Sequence, residues 1–141
     1  MRVTISNRFK ILCVSVFVVL SIIGFMIKLP SGFRHSDKAL HSLFYFIAAA
    51  FLNLLFSNKK LAVHLLIFGA LYLFGVSIEH AQAYSNKMSH TRIHGRYDPV
   101  DVQSNLKGLI AFSILWVVYV AFLFGYNKIA VKEVVKKNES S

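Results

Sequence analysis

The chain has 141 residues, enough for one domain, and 56% of them are hydrophobic, with a mean hydropathy of +0.58. A soluble domain sits nearer ~45–50% apolar, so this composition excludes an ordinary water-soluble fold and sends the excess into lipid or an oligomer. The net charge of +10 would suggest nucleic acid in a soluble chain, but here the positive charge flanks apolar runs and leaves no basic patch to hold a duplex, so no nucleic-acid partner is expected.

The first predicted helix, residues 10–28, carries Ile11 to Ile27, 17 residues without a charge. A spanning helix needs ~17–25 predominantly apolar residues. A signal peptide is the alternative, with Arg2, Arg8 and Lys10 as its n-region. The run exceeds the usual h-region of ~7–15 residues, and no small-x-small cleavage site follows it. Retention as a spanning helix is expected. Cys13 is the only cysteine, which rules out an intramolecular disulfide and reads as apolar filler.

Pro30-Ser31-Gly32 is a turn signal ahead of the second predicted helix, residues 38–57. Ala39 to Phe56 is apolar except for His41, Ser42 and Asn53. Asp37, His41 and Tyr45 are spaced i, i+4, i+8 and form one stripe beside Lys38. Asn58-Lys59-Lys60 reads as a tight hairpin, so helices two and three should be antiparallel neighbours.

The third predicted helix, residues 60–82, contains Leu61 to Ile78, 18 residues in which His64 is the only ionisable group. His64 reads as structural. Glu79 and Gln82 are i, i+3 neighbours that face the same way, while His80 points elsewhere. Residues 80–98 form the longest connection, rich in His, Ser, Asn and Arg. His90 and His94 would offer metal ligands at i, i+4 with His80 and Asp98 if they lay on a helix. Ser85 to Gly95 reads as a loop instead, so no metal and no cofactor are assigned.

The fourth predicted helix, residues 99–127, has a readable start. Asp98 suits the N-cap, Pro99 the first helical position and Asp101 the positive end of the helix dipole. At ~100° per residue Asp98, Asp101, Asn105 and Gly108 share one face, and Gly108 permits close approach of a neighbour. Leu109 to Tyr126 is a further 18 residues without a charge. The tail from Lys128 reads as the frayed end of this helix, its lysines as anchors on an anionic leaflet. The expected fold is therefore an all-α integral membrane bundle of four transmembrane helices, forming one domain over residues 1–141 and contacting membrane lipids.

The N-terminus, the 2–3 hairpin and the C-terminus hold nine basic residues: Arg2, Arg8, Lys10, Lys59, Lys60, Lys128, Lys132, Lys136 and Lys137. The other side holds seven: Lys28, Arg34, Lys38, Lys87, Arg92, Arg96 and Lys107. That second side also carries Asp37, Glu79, Asp98 and Asp101. The positive-inside rule then puts both termini in the cytoplasm and all three polar clusters on the outer side. Ionisable groups at a membrane boundary raise a functional-site hypothesis by default.

The residues of these clusters carry a family resemblance. Asp37, Lys38, His41 and Tyr45 match an Asp-Lys-x-x-His-x-x-x-Tyr block. Gly69, Gly75, Ile78, Glu79 and Gln82 match a Gly-containing helix closed by Glu-x-x-Gln. Arg96, Asp98, Asp101, Asn105 and Gly108 match Arg-x-x-Asp-x-x-Asp-x-x-x-Asn-x-x-Gly, with one residue fewer after the Arg. Over residues 30–125 the chain resembles the VanZ-like family of small bacterial membrane proteins. It departs at Phe112, where the family often has Gly, leaving a less intimate helix contact, and in a longer, more His-rich 85–95 stretch. The resemblance implies the bacterial inner (cytoplasmic) membrane and an envelope role. The family name derives from a protein linked to low-level teicoplanin resistance, which the resemblance alone does not transfer.

Three functions remain open. The clusters can form an outward polar pocket for a lipid-linked or cell-wall-precursor ligand, or another anionic lipid, with Lys38 and Arg96 on a phosphate or carboxylate. Asp37, His41, Tyr45, Glu79, Gln82, Asp98, Asp101 and Asn105 would complete such a pocket. They can instead serve a membrane hydrolase or transferase, with His41 as general base, Asp37 or Asp101 orienting it, and Glu79 as an acid or second base. Or the polar residues only fix helix packing.

Overall fold

The computed structural model describes residues 6–26, 36–57, 59–90 and 97–139. Within them the chain forms four helices and no strand: α1 (Asn7–Met26), α2 (Asp37–Phe56), α3 (Leu61–Met88) and α4 (Pro99–Glu139). Each is long and apolar enough to cross a membrane. Hydrocarbon offers backbone groups no water, so runs of this composition must bond within themselves as helices. Large apolar side chains such as Leu54, Leu66 and Phe124 point out of the bundle and are 87%, 72% and 73% exposed. Such a surface is stable against lipid and not against water.

Two helices outrun their expected ends. α3 continues to Met88 rather than stopping near residue 82, so Ser85 to Met88 belong to a helix and not to the connecting loop. α4 continues to Glu139 rather than fraying from Lys128. Apolar runs mark the slab of lipid, not the limits of the helix. Ala81, Gln82, Ala83, Lys87 and Met88 are good helix formers with no Gly or Pro among them. At 1.5 Å per residue, α4 is ~60 Å long, about twice the hydrocarbon thickness.

α2 and α4 make the most extensive helix pair. Gly108 sets their distance: a Cβ there would run into the main-chain carbonyl of Ser42 and lie 3.1 Å from the Phe46 nitrogen. Beside this contact Ser42 Oγ donates to the Ser104 carbonyl at 2.7 Å. One turn further on, Phe112 is buried edge-on against Phe46, with ring centroids 5.6 Å apart.

α3 returns antiparallel to α2 through a turn in which Lys60 N donates to Ser57 O at 2.7 Å and Lys59 has φ 64°. Below the α2–α4 crossing His64 is buried, its Nδ1 2.9 Å from Asn53 Oδ1 and its Nε2 3.0 Å from Ser113 Oγ. The imidazole stacks on Trp116 at 4.2 Å between centroids. Asn53 Nδ2 donates in turn to Ala49 O. This network joins α2, α3 and α4 and gives the deep polar groups partners, as a lipid-surrounded core requires.

α1 lies at the edge, with Ser21 its one buried residue among those described. Phe17 stacks on Phe44 at 5.6 Å, and Phe25 meets Phe44 edge-on at 4.8 Å. Gln82 of α3 fastens the end of α1 by donating to the Phe25 carbonyl at 2.7 Å.

Candidate functional site

The N-terminal turns of α2 and α4 meet beside the last turns of α3, and this junction collects most of the expected site residues. Asp98 has a double role. Its Oδ1 caps α4 by accepting the Val100 N–H at 2.8 Å, and its Oδ2 accepts from Lys38 Nζ at 3.1 Å. The cap and the Lys38 ammonium hold the Asp98 carboxyl below its ordinary pKa. Capping and pairing are compatible because a carboxylate has two oxygens. Lys38 Nζ also lies 3.4 Å from Asp101 Oδ1, so one ammonium spans both carboxylates.

Glu79 sits beneath this pair and is 1% exposed. Its Oε2 accepts the Asp98 backbone N–H at 3.3 Å. That amide opens α4, where orphan donors and the positive end of the dipole favour a carboxylate.

His41 lies one turn along α2 from Asp37. Its Nδ1 is 2.8 Å from Asn105 Oδ1. An amide oxygen only accepts, so Nδ1 carries a proton and donates to it, and in the neutral imidazole Nε2 presents a lone pair. Nε2 faces Asp37 Oδ1 at 3.8 Å, beyond hydrogen-bond reach. Phe25 covers the ring at 5.2 Å. Tyr45 is fully buried one turn deeper. A Cβ on Gly75 of α3 would stand 2.8 Å from Tyr45 Oη and 2.9 Å from Asn105 Nδ2. Gly75 therefore leaves the space these two side chains occupy.

The cluster is graded from water to core. Lys38, Asp98 and Asp37 have side chains 50%, 39% and 34% exposed, whereas Asp101 is 13% exposed. His41, Tyr45, Glu79 and Asn105 are buried behind them. Among the described residues, four carboxylates (Asp37, Glu79, Asp98, Asp101) face one permanent cation, Lys38.

One expected member stands apart. Gln82 shares a face with Glu79 but spends its amide on α1. Arg96 lies outside the described residues, as does His94. His80 stacks on Tyr97 at 5.0 Å and turns away from the cluster. The sequence reading missed Ser42, Ser104 and Phe25. Ser42 follows His41 directly and lies about 100° off its face, and Phe25 is one apolar residue among many. No pattern marks them, although the Ser104-x-x-x-Gly108 spacing of small residues is a usable sign of close helix contact.

Fold and cluster together define a multi-pass membrane protein with a polar junction at one end of its helices. Comparison with family models, with curated proteins and with solved structures finds no match for this chain.

Proposed function

We propose that the chain is a VanZ-like protein of the bacterial inner membrane, with both termini cytoplasmic, whose polar junction binds the headgroup of a lipid-linked or cell-wall-related ligand from the outer side. One observation carries this reading. Lys38 bridges Asp98 and Asp101 at 3.1 and 3.4 Å at the water-facing mouth of a cluster that is buried at its base. A purely structural cluster would pair its charges and close. This one concentrates more carboxylates than its own described cation can neutralise, at a depth where unpaired charge is costly. Those carboxylates suit sugar hydroxyls, and Lys38 together with Arg96 suits a phosphate.

The experiment is binding of a labelled lipid-linked cell-wall precursor to the purified protein in nanodiscs, with turnover followed in the same sample. Saturable binding lost in Lys38→Met supports the reading, and absence of binding refutes it. Sensitivity to teicoplanin in cells with and without the gene tests the resistance link.

A second reading has its own observation. His41 is fixed by Asn105 with Nε2 facing an acidic group, an arrangement suited to a general base. Turnover that disappears in His41→Gln while precursor binding persists would favour a hydrolase or transferase.

A further inference from the structure

We propose that Asp37, His41 and Asp101 form a binding site for a divalent transition-metal ion of the zinc–manganese class. Each offers one ligand atom, and the three atoms lie within 4.8 Å of one another. Atoms bound to a common ion at ~2.1 Å are at most ~4.2 Å apart. A modest carboxylate rotation closes the set. Asp37 can make it, being about a third exposed on the first turn of α2.

His41 supplies the independent sign. It is 8% exposed, and among the described residues its Nε2 makes no hydrogen bond, its nearest polar neighbour being Asp37 Oδ1 at 3.8 Å. Its other nitrogen is locked to Asn105, itself 2% exposed. Metal-bound imidazoles characteristically donate the second N–H to a fixed acceptor, which sets the tautomer and aims the lone pair. In the neutral imidazole Nε2 faces the Asp37 carboxylate with no proton between them, an unfavourable contact that a bound cation relieves. The charge balance points the same way, since the four carboxylates of the junction have one described permanent cation.

The donor set selects the ion. One imidazole nitrogen and two carboxylate oxygens match zinc or manganese, whereas calcium takes six to eight oxygens. Three protein ligands leave open positions for water or a further ligand. Lys38 is the competitor at Asp101. It is half-exposed and has a nearer partner in Asp98, so it keeps an ion pair when the Asp101 carboxylate turns to a metal.

The test uses Mn²⁺ and Zn²⁺ alone, so its failure leaves the headgroup reading intact. Purified full-length protein in detergent is titrated with Mn²⁺ by electron paramagnetic resonance, with Zn²⁺ as competitor. One Mn²⁺ per chain should bind and be displaced by Zn²⁺. Asp37→Asn and Asp101→Asn should each weaken binding more than about tenfold, and Asn105→Leu by about 10–100-fold. Glu133→Gln, at the far end of α4, should change nothing. Lys38→Met should tighten binding by removing a neighbouring cation, a gain that misfolding does not produce. No saturable binding, binding that survives both aspartate variants, sensitivity to Glu133→Gln, or no tightening in Lys38→Met would each overturn the assignment.

Discussion

His41 Nδ1 lies 2.8 Å from Asn105 Oδ1, and both side chains are buried between α2 and α4. The bond does two things at once. It satisfies polar groups that lipid would leave unpaired, and it fixes which nitrogen of His41 faces the carboxylates. Asn105→Leu keeps the volume and removes the acceptor. It should cost about 1–3 kcal/mol, the price of a buried N–H left without a partner. Thermal unfolding in detergent reads the loss. Ligand binding should fall further than stability accounts for, because His41 would be free to flip its ring.

The glycines of α3 and α4 should rank in a fixed order. Gly69 has nothing within 4 Å of an added Cβ, so Gly69→Ala should be neutral or stabilise by up to about 1 kcal/mol through helix propensity. Gly75→Ala would meet the Tyr45 hydroxyl and the Asn105 amide, side-chain atoms that can shift, at about 1–3 kcal/mol. Gly108→Ala would meet the main chain of α2, which cannot shift without parting the helices. It should be the most damaging of the three. Folded yield and unfolding temperature of the three variants test the order, and equal effects would show that the α2–α4 contact is softer than its geometry implies.

The sequence was legible where lipid dictates the answer. Charge-free runs from Ile11, Leu61 and Leu109 located three helices, whose expected starts at 10, 60 and 99 lie close to those of α1, α3 and α4, and the Asp-x-x-x-His-x-x-x-Tyr stripe located the face of the second. Helical spacing alone brought Asp101 and Asn105 to one face. What it did not carry were helix ends beyond the slab. Ser85 to Met88 and the stretch past Lys128 are polar, yet their backbones still bond within the helix. Partner choice was equally hidden. Gln82 and Glu79 share a face, but only α1 packing decides that the amide goes to Phe25. Topology and helical spacing brought Asp37, His41 and Asp101 to one side, but the approach of their ligand atoms to within 4.8 Å depends on how α2 packs on α4 and has no local pattern.

Asp98 should make the junction sensitive to acid. Its carboxyl is held below its ordinary pKa by the Val100 N–H and the Lys38 ammonium. A depressed carboxylate contributes stability that is present above the ordinary range near pH 3.8 and is lost as pH falls through the lowered folded value. Unfolding temperature of the wild type should therefore drop more steeply below about pH 4 than that of Asp98→Ala. At neutral pH Asp98→Ala should lose the cap, about 1 kcal/mol, while Asp98→Asn should keep the cap and lose only the ion pair. If the alanine and asparagine variants behave alike, the cap contributes nothing separable.

Orientation is tested by labelling. With Cys13 replaced by Ser, a membrane-impermeant thiol reagent added to intact cells should modify Ser89→Cys, at the end of α3, and spare Lys136→Cys, near the end of α4. The expectation rests on nine basic residues against seven and on the positive-inside rule. Permeabilised cells should label both. The opposite pattern in intact cells would turn the polar junction toward the cytoplasm and remove extracellular cell-wall precursors from its reach.

Asp101→Asn separates a functional junction from a packing device. Asp101 is 13% exposed and lies 3.4 Å from Lys38 Nζ. An amide of the same shape retains hydrogen-bonding capacity and removes the charge. Should the residue only pack helices, the amide would serve at least as well, because the buried charge is the costly part. If the carboxylate works with Lys38 on an incoming headgroup, its loss leaves the ammonium paired to Asp98 alone and alters how it is aimed. Binding of the labelled lipid-linked precursor should then fall at least tenfold, about 1.4 kcal/mol, while the amount of protein in the membrane stays near wild type. Lys38→Met should fall as far, and the double variant little further, since both changes break one unit. Full precursor binding in Asp101→Asn at normal abundance would mean that the Asp101 charge takes no part in holding the precursor and that this residue only packs helices.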